Sequence, residues 1–153
     1  MKFFIHSIVL VLLFPAIVPS QSTSKKNIVN KYVSCRTTIS RTSFKPGEIA
    51  TLLVTLTPQK GIHINTVPPI TFAANDSASV TLVGNLKYST VNVDTSVFVK
   101  TSKPVTQSFS ISKSAKPGSY VLKGTLTYFY CSDAEGWCSK FKQPIAITIN
   151  VKK

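Results

Sequence analysis

Acidic residues are scarce in this chain: five Asp and Glu stand against 18 Lys and Arg, a formal charge of +13. Methionine is confined to Met1, which excludes a thioether copper site. Beyond His6 near the start, His63 is the one histidine. With two cysteines it offers too few ligands, at a spacing unlike a zinc finger, so no metal centre is expected and His63 reads as a hydrogen-bonded histidine near a strand end. There is no glycine-rich loop to cradle phosphate and no Gly-x-Ser-x-Gly elbow, so nucleotide and hydrolase chemistry lack their motifs. Helical periodicity is missing throughout. After the first twenty residues no long apolar run occurs, which leaves nothing of the length a membrane helix needs.

What is present begins with an export signal. Lys2 supplies a positive start, Phe3 to Val18 is almost wholly apolar, and Val18-Pro19-Ser20 suits a signal peptidase. Residues 1–20 are therefore expected to be a signal peptide, 21–30 a polar flexible lead-in, and 31–153 one folded domain. About 133 residues then remain, enough for one core. Loss of Lys2 leaves 17 basic against 5 acidic residues. The lysines are scattered rather than clustered with aromatics, so nucleic acid is not the expected partner. A solvated basic surface, with peripheral contact to an anionic envelope, suits an exported protein better.

Period-two alternation dominates the rest. Leu52, Val54 and Leu56 alternate with Leu53, Thr55 and Thr57; Val105, Phe109 and Ile111 with Thr106, Ser108 and Ser110. Tyr120, Leu122, Leu126, Tyr128 and Tyr130 fall on one face, and Ile145, Ile147, Ile149 and Val151 on another. Lys45-Pro46-Gly47, Val67-Pro68-Pro69, Lys116-Pro117-Gly118 and Glu135-Gly136 punctuate these runs as turns. The pattern predicts an all-β fold, an immunoglobulin-like β-sandwich of about seven to nine strands. Residues 74–102 are the least regular and read as a long loop or flap. The triplet Asn75-Asp76-Ser77 fits a glycosylation acceptor only formally.

Three cysteines cannot all pair within one chain. Cys35 alternates with Val33 and Ile39 and reads as a buried free thiol. Cys131 and Cys138 flank a polar turn of six residues, and a hairpin there makes a disulfide geometrically easy. Such a bond could staple the hairpin, worth roughly 2 to 3 kcal/mol on the chain-entropy model. It could also exchange, which needs one sulfur open to attack and a partner sulfur to resolve the mixed disulfide. Tyr128, Tyr130, Trp137 and Phe141 crowd the pair, Asp133 and Glu135 would raise thiol pKa values, and Lys140 would lower them.

One set of motifs bears on that choice. Lys45-Pro46-Gly47, Gly61-Ile62-His63-Ile64 and Pro117-Gly118-Ser119-Tyr120 precede Thr127-Tyr128-Phe129-Tyr130-Cys131-Ser132-Asp133, then Gly136-Trp137-Cys138 and a last alternating strand. This order, over residues 32–151, resembles the N-terminal periplasmic domain of the thiol:disulfide interchange protein DsbD, in the disulfide bond corrector family. The resemblance implies a periplasmic domain that passes electrons through Cys131 and Cys138 without a bound cofactor. It implies that Cys138 forms the mixed disulfide and Cys131 resolves it, with thioredoxin-fold proteins as partners. A cap over residues 88–100, with Phe98 as shield, would cover the pair. The chain departs from that family at His63 and Asn65, where tyrosines are expected, and at Ser139-Lys140-Phe141, which replaces a proline pair. It also carries no membrane or thioredoxin-like domain, so the electron donor is expected to be a separate membrane or thioredoxin-like protein. The competing expectation is an exported immunoglobulin-like binding or adhesion module whose disulfide is structural.

Overall fold

The computed structural model describes residues 29–75, 77 and 79–153. The expected signal peptide, most of the lead-in and the middle of the Asn75 triplet lie outside the described residues. Eleven strands are present among those described: β1 (Val33–Ile39), β2 (Ser43–Phe44), β3 (Ile49–Pro58), β4 (Ile62–Ile64), β5 (Thr71–Ala74), β6 (Val80–Lys87), β7 (Thr90–Val93), β8 (Ser96–Val99), β9 (Val105–Ile111), β10 (Gly118–Ser132) and β11 (Trp137–Val151). The fold is an all-β, immunoglobulin-like sandwich. One sheet runs β1-β3-β9-β6, and the other β2-β11-β10-β4 with β5 also on β10. Pairing is antiparallel except for the short parallel contact of β2 with β11.

The alternating runs bury the expected residues. Leu52, Val54 and Leu56 of β3, Phe109 and Ile111 of β9, Leu122, Leu126 and Tyr128 of β10, and Ile145, Ile149 and Val151 of β11 meet in one core between the sheets. Burying each large apolar side chain contributes about 1.5 to 3 kcal/mol. Gly124 lets β5 lie close on β10: a Cβ there would come within 2.5 Å of the Phe72 ring and 2.7 Å of the Ala73 carbonyl oxygen. Asn30, the last residue of the expected lead-in, is buried and ties the start of the domain to the core. Its Oδ1 accepts from the Tyr32 and Val33 amides at 2.8 and 3.3 Å, and its Nδ2 donates to the Tyr128 hydroxyl at 3.0 Å.

Two sequence expectations are corrected. The two main sheets hold nine strands, within the expected seven to nine, but residues 74–102 are not a long loop. They form β6, with a register irregularity between Val83 and Lys87, and the separate two-stranded ribbon β7–β8. No alternation betrays this ribbon because all four residues of β7 are exposed, leaving no inward face to encode. The cysteine turn is also shorter than six residues. Ser132 pairs with Trp137, so only residues 133–136 turn, with Gly136 at φ +67° closing onto the Ser132 carbonyl at 2.9 Å.

Candidate functional site

The β10–β11 hairpin is the longest element of the fold, fifteen residues per strand, and the cysteines stand at its tip. Its register places Cys131 directly opposite Cys138, with Cα atoms 4.1 Å apart, and the two form a disulfide. On its other side Cys131 is opposite His63 of β4. Cross-strand partners share a face, and so do residues two apart along a strand. His63, Asn65, Cys131 and Cys138 therefore share the outer face of the sheet, while Tyr128 and Tyr130 point the other way.

The two sulfurs occupy unequal positions. Cys131 is 5 % exposed, whereas Cys138 belongs to the exposed residues of β11. Asn65 donates from Nδ2 to Cys131 Sγ at 3.0 Å, and its own amide N–H donates to the Phe129 carbonyl at 2.9 Å. Its Oδ1 is buried and without a hydrogen-bond partner among the described residues.

The β7–β8 ribbon roofs this face. Phe98 bridges to Asn65 through the backbone, and its ring centre lies 4.0 Å from that of His63. The Thr66 hydroxyl donates to the Val97 carbonyl at 2.8 Å, a second tie between ribbon and body. Under and beside the roof lies a cleft of about 550 Å³ whose walls include His63, Asn65, Phe98, Asp133, Trp137 and both cysteines. Val67, Val91, Val93 and Val97 are exposed apolar side chains nearby, on the ribbon and on the loop that meets it.

Charge at the cleft is mixed. His63 Nδ1 lies 3.1 Å from the Asp133 carboxylate, whose side chain is 80 % exposed. The Trp137 indole N–H donates to Glu135, and the Lys140 ammonium sits 5.6 Å from the Phe129 ring centre. Trp137 borders the cleft and also leans on Tyr32 and Tyr130, with ring centres 4.9 and 5.8 Å away.

Of the residues expected at the site, Cys131, Cys138, His63, Asp133, Trp137 and Phe98 come together around the cleft. Tyr128 and Tyr130 do not line it. The strand alternation turns them into the core, where Tyr128 is fully buried, and burial pushes its phenol well above the usual range. Cys35 is free and half-buried against the core, and burial pushes its thiol up to about 11. Asn65 was missed as a functional candidate. Its signal was the alternation Ile62-His63-Ile64-Asn65, which puts a second polar side chain on the face of His63.

No family model matches the chain, and no curated protein does. Among solved structures, the GAE domain of yeast GGA1 is similar over 77 % of this chain and 93 % of that one, at 12 % identity and a TM-score of 0.41. AggA, the major subunit of aggregative adherence fimbriae type I from Escherichia coli, is similar over 82 % of this chain and 99 % of that one, at 16 % identity and a TM-score of 0.41.

Proposed function

We propose that this domain exchanges disulfides with other thiol proteins outside the cytoplasm, through the Cys131–Cys138 pair. The observation that carries the reading is the asymmetry of the bond: an exposed cysteine joined to a buried one, in an open cleft roofed by a separate ribbon. A partner thiolate attacks Cys138 Sγ, a new S–S bond forms there, and the electron pair of the broken bond stays on Cys131. The partner's second thiolate then attacks its own sulfur in the mixed disulfide and releases Cys138 as thiolate. The partner leaves oxidised and this chain reduced; the reverse sequence reduces the partner. No cofactor enters the balance.

Partners of this chemistry are thioredoxin-fold proteins and a separate membrane donor, reached by an exported protein whose excess of basic residues favours an anionic envelope surface. Phe98 and the ribbon narrow the approach to the bond and leave the exposed Cys138 as the sulfur that a partner reaches.

The rival reading is an exported binding or adhesion module with a structural disulfide. It is favoured by the exposed apolar Val91, Val93 and Val97 on a ribbon that adds to neither main sheet. Equilibration of the folded protein with thiol buffers separates the two. An exchange domain gives a reduction potential of roughly −120 to −270 mV, and its Cys131→Ser variant captures thioredoxin-fold partners through Cys138. A potential below about −300 mV, with no capture, assigns the domain to binding.

A further inference from the structure

We propose that Asn65 is a catalytic group of this exchange: its side-chain amide holds Cys131 as the departing thiolate and so sets which end of the disulfide opens. The inference rests on the exchange reading above and names a residue within it. Three observations converge on Asn65. Its Nδ2 already donates to Cys131 Sγ at 3.0 Å. Its Oδ1 is buried without a partner among the described residues, a costly state for an amide oxygen. Its backbone is fixed from both sides, by the Phe129 carbonyl and by the bridge to Phe98, so the amide cannot drift away from the sulfur.

An amide both donates and accepts. With Nδ2 toward the sulfur it serves a disulfide sulfur or a thiolate. Turned by half a rotation about its last side-chain bond, it presents Oδ1 to the S–H of a thiol. The unpartnered oxygen is then the acceptor that the reduced, protonated form of Cys131 uses. Cys138 has no such side-chain partner among the described residues and relies on water. When an incoming thiolate bonds to Cys138 Sγ, the S–S electron pair passes to Cys131 Sγ, where the Asn65 N–H is waiting. Attack in the opposite sense would leave the pair on Cys138 with no preset donor. A sulfur that departs as the better-stabilised thiolate departs faster.

The test compares the two thiols separately. The Cys131 thiol is titrated in a Cys35→Ala, Cys138→Ser chain and the Cys138 thiol in a Cys35→Ala, Cys131→Ser chain, so that the ultraviolet absorbance reports one thiolate at a time. Each is then repeated with Asn65→Leu and Asn65→Asp. The other charged groups at neighbouring positions, His63 on β4, Asp133 and Glu135 in the turn, and Lys140 on β11, are unchanged, so their contribution cancels in the comparison. Losing the amide donor raises the Cys131 pKa by about one pH unit, and the acceptor-only carboxylate raises it further. The Cys138 pKa stays in place, and a cooperative urea unfolding transition in each variant shows that it folds. In the chain with both cysteines, Asn65→Leu slows reduction by glutathione on the order of threefold. An unmoved Cys131 pKa, or equal shifts at both thiols, overturns the assignment. The exchange reading falls by a different result, a parent disulfide that thioredoxin-like reductants leave intact, and the titrations still decide the role of Asn65.

Discussion

The inner and outer faces of the β10–β11 hairpin are made by the same strands, yet they are built on opposite principles. Inward, Leu122, Leu126, Tyr128, Ile145 and Ile149 are all but fully buried and join the core. Outward, at the tip, Cys131, Cys138, His63 and Asn65 meet an open cleft under a separate two-stranded ribbon. The inner face fixes the position of every backbone atom. The outer face takes advantage of that fixed backbone to hold polar and sulfur groups where they stay reachable. A rigid scaffold carrying exposed chemistry is the arrangement in which a labile bond can open without unfolding its host.

Substitutions on the two faces should separate stability from reactivity. The largest effect belongs to the inner face. Leu126→Ala should destabilise the domain by about 2 to 5 kcal/mol in urea unfolding, since it leaves a cavity at a fully buried position. Below its unfolding transition the variant should be reduced by glutathione at the parent rate. A large acceleration in the folded state would mean that reduction requires opening of the core, and the comparison of faces would fail. Next in size is the staple itself. Replacing both Cys131 and Cys138 by Ser should lower the urea midpoint by the equivalent of about 2 kcal/mol, the chain-entropy value for a loop this short. A chain that no longer folds would place the bond among the supports of the fold.

The sequence was most legible where one face is dry. Period-two alternation revealed β3, β9, β10 and β11 because each has a buried side that only apolar residues tolerate. It failed on β7, whose exposed residues carry no such constraint, and on the pairing of Ser132 with Trp137, which is set by the turn rather than by burial. At the site, Cys131 and Cys138 were legible by spacing, and His63 and Phe98 entered through motif resemblance. Tyr128 and Tyr130 were placed at the cleft by proximity in sequence, although one residue along a strand is the opposite face. Asn65 escaped because its role depends on the contact between β4 and β10, which no local pattern announces.

The ribbon gives a smaller, purely kinetic effect. Phe98→Ala should leave the urea midpoint within about 1 kcal/mol of the parent, because the side chain packs on an outer face rather than in the core. It should also speed reduction of the native disulfide by a small thiol about tenfold, by removing the group that covers His63 and the adjoining cleft. An unchanged rate would show that the ribbon does not gate access.

Cys35 supplies the smallest effect and the sharpest contrast in sulfur chemistry. Its pKa is raised by burial from the ordinary 9.0 to about 11 in the folded chain. A raised pKa means that the folded state prefers the neutral thiol. The corresponding stability is fully present below pH 9 and is lost as pH rises through about 11. The site is only half-buried, so solvent screening limits the loss to about 1 kcal/mol. The measurement is urea unfolding at pH 8 and at pH 11 in a chain with both Cys131 and Cys138 replaced by Ser, which prevents disulfide exchange at high pH. The same pair of experiments with Cys35→Ala gives the loss that remains without the thiol and without its charge beside Tyr128. Stability should fall more with Cys35 than without it, and alkylation of Cys35 at pH 8 should be slower in the folded chain than in urea. Equal falls and equal alkylation rates would mean that Cys35 is as open as Cys138, and that burial does not distinguish the two kinds of sulfur in this fold.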